Sequence, residues 1–198
     1  LTEGLKIAFK EDNSILIESF VEGKEYRFLV IGEETIAVLH RVPANVIGDG
    51  TSTIQQLIEK KNRDSLRGTG HITPLEKIQI NDSLKLYLQQ QGLTIDSVIP
   101  EGKTQFLREN SNISTGGDSI DVTDTVPDLF KHLAVKAAKS VGANICGVDM
   151  MIENMEDGTS PYSIIELNFN PAIHIHAYPY KGKERNIAYP ILRLLGFQ

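Results

Sequence analysis

Two neighbouring apolar segments near the end of the sequence carry oxygen-bearing side chains where an isolated carboxylate would be costly. Asp149 lies in the run GVDMMI, and Glu166 and Asn168 are two residues apart in the run SIIELN. An unpaired carboxylate in a buried strand costs several kcal/mol, so a cation is expected to compensate it. Alternate residues of a strand share a face, so Glu166 and Asn168 point the same way, and Asp149 joins them if the strands pair. Such an oxygen donor set suits Mg²⁺, which keeps positions open for water and phosphate oxygens, although hydrogen-bonded strand ends are an ordinary alternative.

A second candidate site, for binding phosphate, is the loop LRENSNISTGGD, which follows a short apolar run. Its backbone N–H groups can bind an anion, and Arg108 can pair with phosphate oxygens through two parallel hydrogen bonds. Paired glycines also mark ordinary flexible turns, so this loop indicates phosphate binding only together with the other segments. The first strand region, ILIESFVEGKEYRFLVIG, adds a Glu-Gly turn and a further carboxylate, Glu25.

Taken together, these segments resemble the ATP-grasp ligases. The metal-binding core of that family is similar to GVDMM followed by IIELNFNP, and its phosphate loop is similar to RENSNISTGG. The resemblance implies that Asp149, Glu166 and Asn168 hold the Mg²⁺ ions on ATP, with Mn²⁺ as the alternative metal. It implies a catalytic contact between Arg108 and the transferred phosphoryl group. The remaining implied nucleotide contacts are the adenine hinge (Glu18, Ser19, Phe20, Val21), the ribose contact (Glu25) and the phosphate loop (Asn112, Gly116, Gly117).

A narrower resemblance covers the whole chain. The phrases HRVPANVIGDGTST, RENSNISTGGDSIDVTD and IIELNFNPAIHIH are similar to the ATP-grasp module of bacterial bifunctional glutamate–cysteine ligase/glutathione synthetases. This implies ATP-dependent joining of γ-glutamylcysteine and glycine through an acylphosphate, and a glutamate–cysteine ligase module upstream in the same polypeptide. Cyanophycin synthetases share several of these phrases and are the alternative ligase, and a folded but inert fragment is the non-catalytic alternative. On this reading, residues 1–198 form a partial ATP-grasp domain that lacks the N-terminal part of the nucleotide clamp.

Composition restricts the classes of protein that remain. The formal net charge of −6 argues against a general nucleic-acid binder, and no apolar run approaches the length of about 20 residues that a membrane span needs. The single Cys146 cannot form an intrachain disulfide, and no signal peptide is recognised, which together favour the cytoplasm. The sequence does not begin with Met and reads as a piece of a longer polypeptide, and a homodimer stays open.

The elements that must position these residues indicate an α+β fold with an antiparallel sheet flanked by helices. We predict strands at 14–20, 25–32, 35–42, 104–109 and in both segments that carry the proposed metal ligands, with a hairpin turn at Gly32–Glu34. We predict helices at about 5–13, at 52–62 with Thr51 or Ser52 as the cap, at 82–91, at 127–140 and at 183–197. Residues 50–102 are predicted to be an inserted subdomain, with an exposed connection at 63–74. In the helix at 127–140, these residues are expected to face the core: Leu129, Leu133, Val135 and Ala137.

A few other residues invite a chemical interpretation. His174 and His176 would share a strand face at i, i+2, but no third ligand nearby completes a zinc site, so we predict none. Arg41 lies in a phrase shared with the family and is a candidate for a substrate or phosphate contact. The charged run at 59–63 reads as a solvated helix end, and Cys146 as a small buried hydrophobe.

Overall fold

In the computed structural model, residues 5, 9, 12–15, 17 and 21–197 are described. The helix predicted at 5–13 and the strand predicted at 14–20 fall largely outside those residues. None of the described helices is both long enough and apolar enough to cross a membrane.

The main element is a five-stranded antiparallel sheet. Its strands are β1 (Lys24–Ile31), β2 (Glu34–Val42), β7 (Asp118–Asp121), β8 (Ile145–Ile152) and β9 (Tyr162–Asn168). They lie in the order β7-β2-β1-β8-β9. The predicted hairpin is confirmed, because β1 ends at Ile31 and β2 begins at Glu34, with Gly32 in the left-handed region at φ 62°. The α+β class is also confirmed.

One face of this sheet is apolar and is covered by a single helix, α3 (Asp128–Ser140). Tyr26, Phe28, Val148 and Met150 from the strands pack against the buried residues of that helix. Those buried residues are Phe130, Ala134 and Ala138, and the predicted Leu133, Val135 and Ala137 are partly buried against the same core. Leu129 is about half exposed, so its predicted inward position was wrong.

The second core belongs to the region that contains the predicted insertion. Its elements are α1 (Ile54–Lys61), α2 (Asp82–Gln90), β3 (Asn45–Ile47), β4 (Arg67–Gly68), β5 (Leu75–Glu76) and β6 (Thr104–Phe106). Ala44 and Val46 before residue 50 and Leu107 after residue 102 belong to the same core, so it extends past the predicted boundaries at both ends. The insertion itself stays a prediction.

Two details of this region differ from the prediction. Thr53, not Thr51 or Ser52, caps α1 through a reciprocal bond with Gln56, because Thr51 and Ser52 both bind the Asp49 carboxylate. The segment at 63–74 is not merely an exposed connection: Arg67 is buried within it.

The segment after β9 covers part of the other face of the sheet. The helices α4 (His174–Ala177) and α5 (Ala188–Leu194) follow β9, and Ala177, Ile187 and Ile191 pack over Leu29 and Ala37. His174 and His176 therefore lie in a helix rather than on a strand, which corrects their predicted arrangement. Pro190 occupies the first turn of α5, where backbone N–H groups have no acceptor within the helix, so the N–H that proline lacks is not needed.

Candidate metal and nucleotide site

The strand register brings the three proposed metal ligands together on one face of the sheet. Asp149 on β8 lies directly opposite Glu166 on β9, and Gly147 lies opposite Asn168. Residues directly opposite each other in an antiparallel pair point to the same face, so all three side chains share the surface that α3 does not cover. The β8–β9 register shifts directly after Asp149, with Ile165 as the extra residue on β9, and Glu166 is exposed on this edge strand.

Arginine side chains, which the sequence reading largely missed, compensate the buried carboxylate. Asp149 is only 2% exposed, and Arg27, directly opposite it on β1, donates from Nε to Oδ1 at 2.5 Å and from Nη2 to Oδ2. Arg41 on β2 donates from Nη1 to the same Oδ2 at 3.0 Å. The expected compensating cation is therefore present in the protein itself. Burial tends to lower the pKa of Arg27, but its hydrogen bonds to Asp149 and the nearby carboxylates outweigh this, and the pKa is raised.

The array continues from Asp149 toward the loop after β6. Glu25 binds Arg41 Nη1 through Oε1 at 2.6 Å and accepts from the Ser111 hydroxyl through Oε2. Asn112 accepts from Arg41 Nη2 at 2.7 Å through its side-chain oxygen. Arg41 thus joins the β1–β2 strands, the proposed metal ligand Asp149 and the proposed phosphate loop in one hydrogen-bonded group.

Asn168 completes the cluster on the other side. With its amide oriented to satisfy both neighbours, its nitrogen donates to Glu166 Oε1 at 3.1 Å and its oxygen accepts from Arg27 Nη2 at 3.1 Å. Each proposed ligand is therefore connected to the next through a direct bond or through Arg27.

These residues fit a hard divalent cation. Glu25, Asp149 and Glu166 carry three formal negative charges against two on Arg27 and Arg41, which leaves the cluster at −1 before a metal binds. A carboxylate offers about four lone-pair sites, of which the arginines use three on Asp149, so that residue can still contribute one position. Within the described ranges, no three His, Cys, Asp or Glu side chains form a metal-binding group, so a site here depends on the Asn168 amide oxygen. To bind a metal together with Glu166, the amide must rotate so that its oxygen faces Glu166 instead of Arg27. Oxygen donors of this kind match Mg²⁺ better than zinc.

The phosphate loop has the tight backbone that its glycines imply. Gly116 adopts φ 95°, and a Cβ on Gly117 would lie 2.9 Å from the carbonyl oxygens of Ser111, Asn112 and Val42. The loop therefore approaches β2 more closely than any side chain at position 117 would allow.

The other predicted site residues lie elsewhere. Arg108 donates to the side-chain oxygen of Asn81, the cap of α2, at 2.9 Å, and the hydrogen bonds found among the described residues do not join it to the Asp149 cluster. Val21 is partly buried just before β1, and the remaining hinge residues, Glu18, Ser19 and Phe20, lie outside the described residues.

A buried histidine on the same face was missed as a site residue. His176 is fully buried, and neither ring nitrogen has a hydrogen-bond partner within the part of the chain that the structure describes. Burial, and then the nearby Arg27 charge, lower the pKa of His176 to about 3, so the ring is neutral. The only sequence signal was a polar residue in the apolar run AIHIHA.

No protein-family model matches the chain. The chain is 57% identical over 195 residues to the glutathione biosynthesis bifunctional protein GshAB of Clostridium perfringens, covering 98% of this chain and 25% of that protein. It is 52% identical over 198 residues to the protein of the same name from Enterococcus faecalis, covering 98% of this chain and 26% of that one.

A solved structure is similar as well. The crystal structure of a bifunctional glutathione synthetase from Pasteurella multocida matches with a TM-score of 0.79 and 46% identity, covering 98% of this chain and 27% of that one. The chain therefore spans about a quarter of the length of the proteins it matches.

Proposed function

We propose that the chain is an ATP-grasp module of the bifunctional glutathione biosynthesis proteins, to two of which it is 57% and 52% identical, and that it forms part of their glutathione-synthesising site. The reaction we assign is ATP-dependent joining of γ-glutamylcysteine to glycine. The observation that carries this assignment is the strand register, which sets Asp149 opposite Glu166 and brings Asn168 beside them. Arg27 and Arg41 both donate hydrogen bonds to Asp149. A five-residue oxygen and guanidinium surface of this kind suits the phosphates of a nucleotide.

The proposed chemistry has two steps. The cysteinyl carboxylate of γ-glutamylcysteine attacks the γ-phosphorus of ATP, and ADP leaves with the electrons of the broken P–O bond. The amine of glycine then attacks the acylphosphate carbon, inorganic phosphate leaves, and the amine gives up a proton as the amide forms. Carboxylate and phosphate are both anions, so the first step needs positive charge where they meet.

The residues of this chain divide that task. Asp149, Glu166 and Asn168 would hold a divalent cation, which supplies positive charge to the phosphate oxygens when bound. Arg27 and Arg41 keep Asp149 ionised and fixed, since together they donate three hydrogen bonds to its carboxylate. Glu25 is proposed to contact the ribose hydroxyls, and for that it must accept bonds beyond those from Arg41 and Ser111. Arg108 is proposed to contact the transferred phosphoryl group, which requires its side chain to leave Asn81.

Further features of the whole protein are proposals too. We assign Mg²⁺ as the metal and a glutamate–cysteine ligase module upstream, since the matched relatives are bifunctional and about four times longer. A cytoplasmic location agrees with the buried free thiol of Cys146.

The test is phosphate release by the longest polypeptide that carries this chain. We expect ATP-dependent release with γ-glutamylcysteine plus glycine, and none above background with aspartate plus arginine, the substrates expected of a cyanophycin-like ligase. Glu166→Gln should reduce turnover by about a hundredfold or more, since it removes a charged metal ligand. Glu153→Gln is the matched control, because Glu153 is exposed beyond the end of β8.

A binding measurement distinguishes the proposed ligase from the alternative of a folded but inert fragment. If Mg-ATP binds the folded chain, at 100 times its dissociation constant it adds about 2.7 kcal/mol of stability and raises the melting temperature. Phosphate release with aspartate and arginine would replace the acceptor assignment. The absence of any shift in melting temperature at millimolar Mg-ATP would favour the inert-fragment alternative.

A further inference from the structure

Arg67 on β4 is a buried cation outside the cluster described above. Its side chain is 0% exposed, although the sequence around it, RDSLRGTGH, reads as a polar surface segment. A guanidinium is costly to bury unless it is paired and hydrogen-bonded, so its partners indicate what it holds in place. Both terminal nitrogens of Arg67 have partners, and its Nε has none among the described residues.

Those partners come from both sides of the boundary between the second core and the main sheet. Arg67 Nη1 donates to the carbonyl oxygen of Glu76 at 2.8 Å and to that of Gly116 at 3.1 Å, while Nη2 pairs with Oδ1 of Asp118. Lys61 binds Oδ2 of Asp118 at 2.7 Å. The Tyr180 ring lies 5.2 Å from both the Arg67 guanidinium and the Lys61 ammonium. A single side chain thus connects β5 to the phosphate loop and to the first residue of β7.

The loop itself rests on the second core at the same place. A Cβ on Gly116 would lie 2.7 Å from Cγ1 of Ile78, so the loop backbone is in direct contact with this core residue. Asn62 fixes Ile78 in turn, because its side chain both donates to and accepts from the Ile78 backbone at 2.8 Å. The position of Gly116 is therefore set from the core side by packing and by Arg67.

The other end of the loop reaches the proposed metal ligands. Ser111 donates to Glu25, Asn112 accepts from Arg41, and Arg41 donates to Asp149. Contacts thus run without a break from Arg67 through the loop to a side chain that is proposed to hold the metal.

We propose that Arg67 is a positioning residue for the nucleotide site. It fixes the loop over 111–117 against the second core, so that Asn112 and Arg41 are held in the arrangement that receives the phosphates. This inference rests on the proposed function, because it assigns a role within the same site. Arg67 acts through the loop and is not proposed to contact the substrate.

The variant that tests this is Arg67→Lys, which keeps the charge but loses the planar fork. A single ammonium cannot reach two carbonyl oxygens and a carboxylate in the geometry that arginine does. Arg63→Lys is the matched control, since Arg63 is exposed in the same segment. We expect Arg67→Lys to raise KM for ATP or lower kcat by about tenfold to a hundredfold, as small misplacements in an active site do, and the control to leave both unchanged.

Amide hydrogen exchange gives a readout that does not need turnover. In the folded protein the Gly116 and Gly117 N–H groups bond to the carbonyl oxygens of Ile113 and Asn112 at 3.0 and 3.1 Å. We expect Arg67→Lys to speed exchange of these two amides at least about tenfold, without a comparable change in the strands β1 and β8.

The outcomes separate the two proposals. Unchanged exchange at Gly116 and Gly117 together with unchanged kinetic constants would overturn the positioning role, even if the variant melts a few degrees lower. Faster loop exchange in a protein whose unsubstituted form shows no ATP-dependent phosphate release would refute the proposed function and leave the loop-fixing role of Arg67 standing. An activity loss equal in Arg63→Lys would also contradict a specific role for Arg67.

Discussion

Two residues proposed as ligands of the same metal should differ sharply in what they contribute to stability. Asp149 is buried and holds two guanidiniums, whereas Glu166 is exposed, and among the described residues its side-chain contact is with the Asn168 amide. Asp149→Asn and Glu166→Gln each replace a carboxylate by an isosteric amide. Both changes should reduce turnover, but only the first should also destabilise the fold.

The loss of stability expected for Asp149→Asn follows from the burial of its arginine partners. Removing one member of a buried ion pair costs about 3–5 kcal/mol, because the other charge is left uncompensated. Arg41 keeps its bond to Glu25, and Arg27 is 12% exposed, so we expect the lower end of that range, about 3 kcal/mol. In a domain of this size 1 kcal/mol shifts the melting temperature by about 2–4 °C, which gives a loss of about 6–12 °C. Exposed substitutions such as Glu166→Gln should stay within about 0.5 kcal/mol.

Urea unfolding of the three proteins without nucleotide or metal measures the difference. We expect the midpoint to fall for Asp149→Asn at unchanged slope, and to stay in place for Glu166→Gln. Arg27→Met serves as a second perturbation of the same pair, and should destabilise by a similar amount because it leaves the Asp149 charge buried. If Asp149→Asn and Glu166→Gln prove equally stable, the buried ion pair is not present in the folded protein and the cluster described above is wrong.

Three further outcomes are expected. The pKa of His176 is about 3 in the folded state and about 6.5 in the unfolded state, so the unfolded state binds the proton first as pH falls. The free energy of unfolding should therefore decrease as pH drops below about 6.5. His176→Gln should make the urea midpoint less dependent on pH between about pH 7.5 and 5. Gly117→Ala should lower the melting temperature by several degrees, because the added Cβ would lie 2.9 Å from three backbone carbonyl oxygens. Gly158→Ala is the control and should leave the melting temperature unchanged, because a Cβ there makes only an ordinary contact. Equal effects of the two variants would contradict the close approach of the loop to β2. Thr53→Ala should cost about 1 kcal/mol in urea unfolding by removing the cap of α1, whereas a larger loss from Thr51→Ala would restore the cap first predicted.

The sequence by itself determined the β1–β2 hairpin, the three helices α1, α2 and α3, and the proposed ligand set. Alternation, helical spacing and turn residues are enough for these elements, since the period of a strand or helix depends only on local backbone geometry. The pairing of β8 with β9 was a condition of the prediction, and only the structure established it. The i, i+2 spacing of Glu166 and Asn168 likewise placed them on one face without any tertiary information.

Tertiary structure alone decided which cation compensates Asp149 and where the second core meets the phosphate loop. Arg27 and Arg41 are 122 and 108 residues from Asp149 along the chain, and a one-residue change of strand register would have turned either to the other face. Arg67 looked like a surface residue, because its acceptors are a carboxylate and two carbonyl oxygens, one of them on a loop 49 residues away. Charges pair through space, so local sequence patterns identify the carboxylates but not the partners that permit their burial.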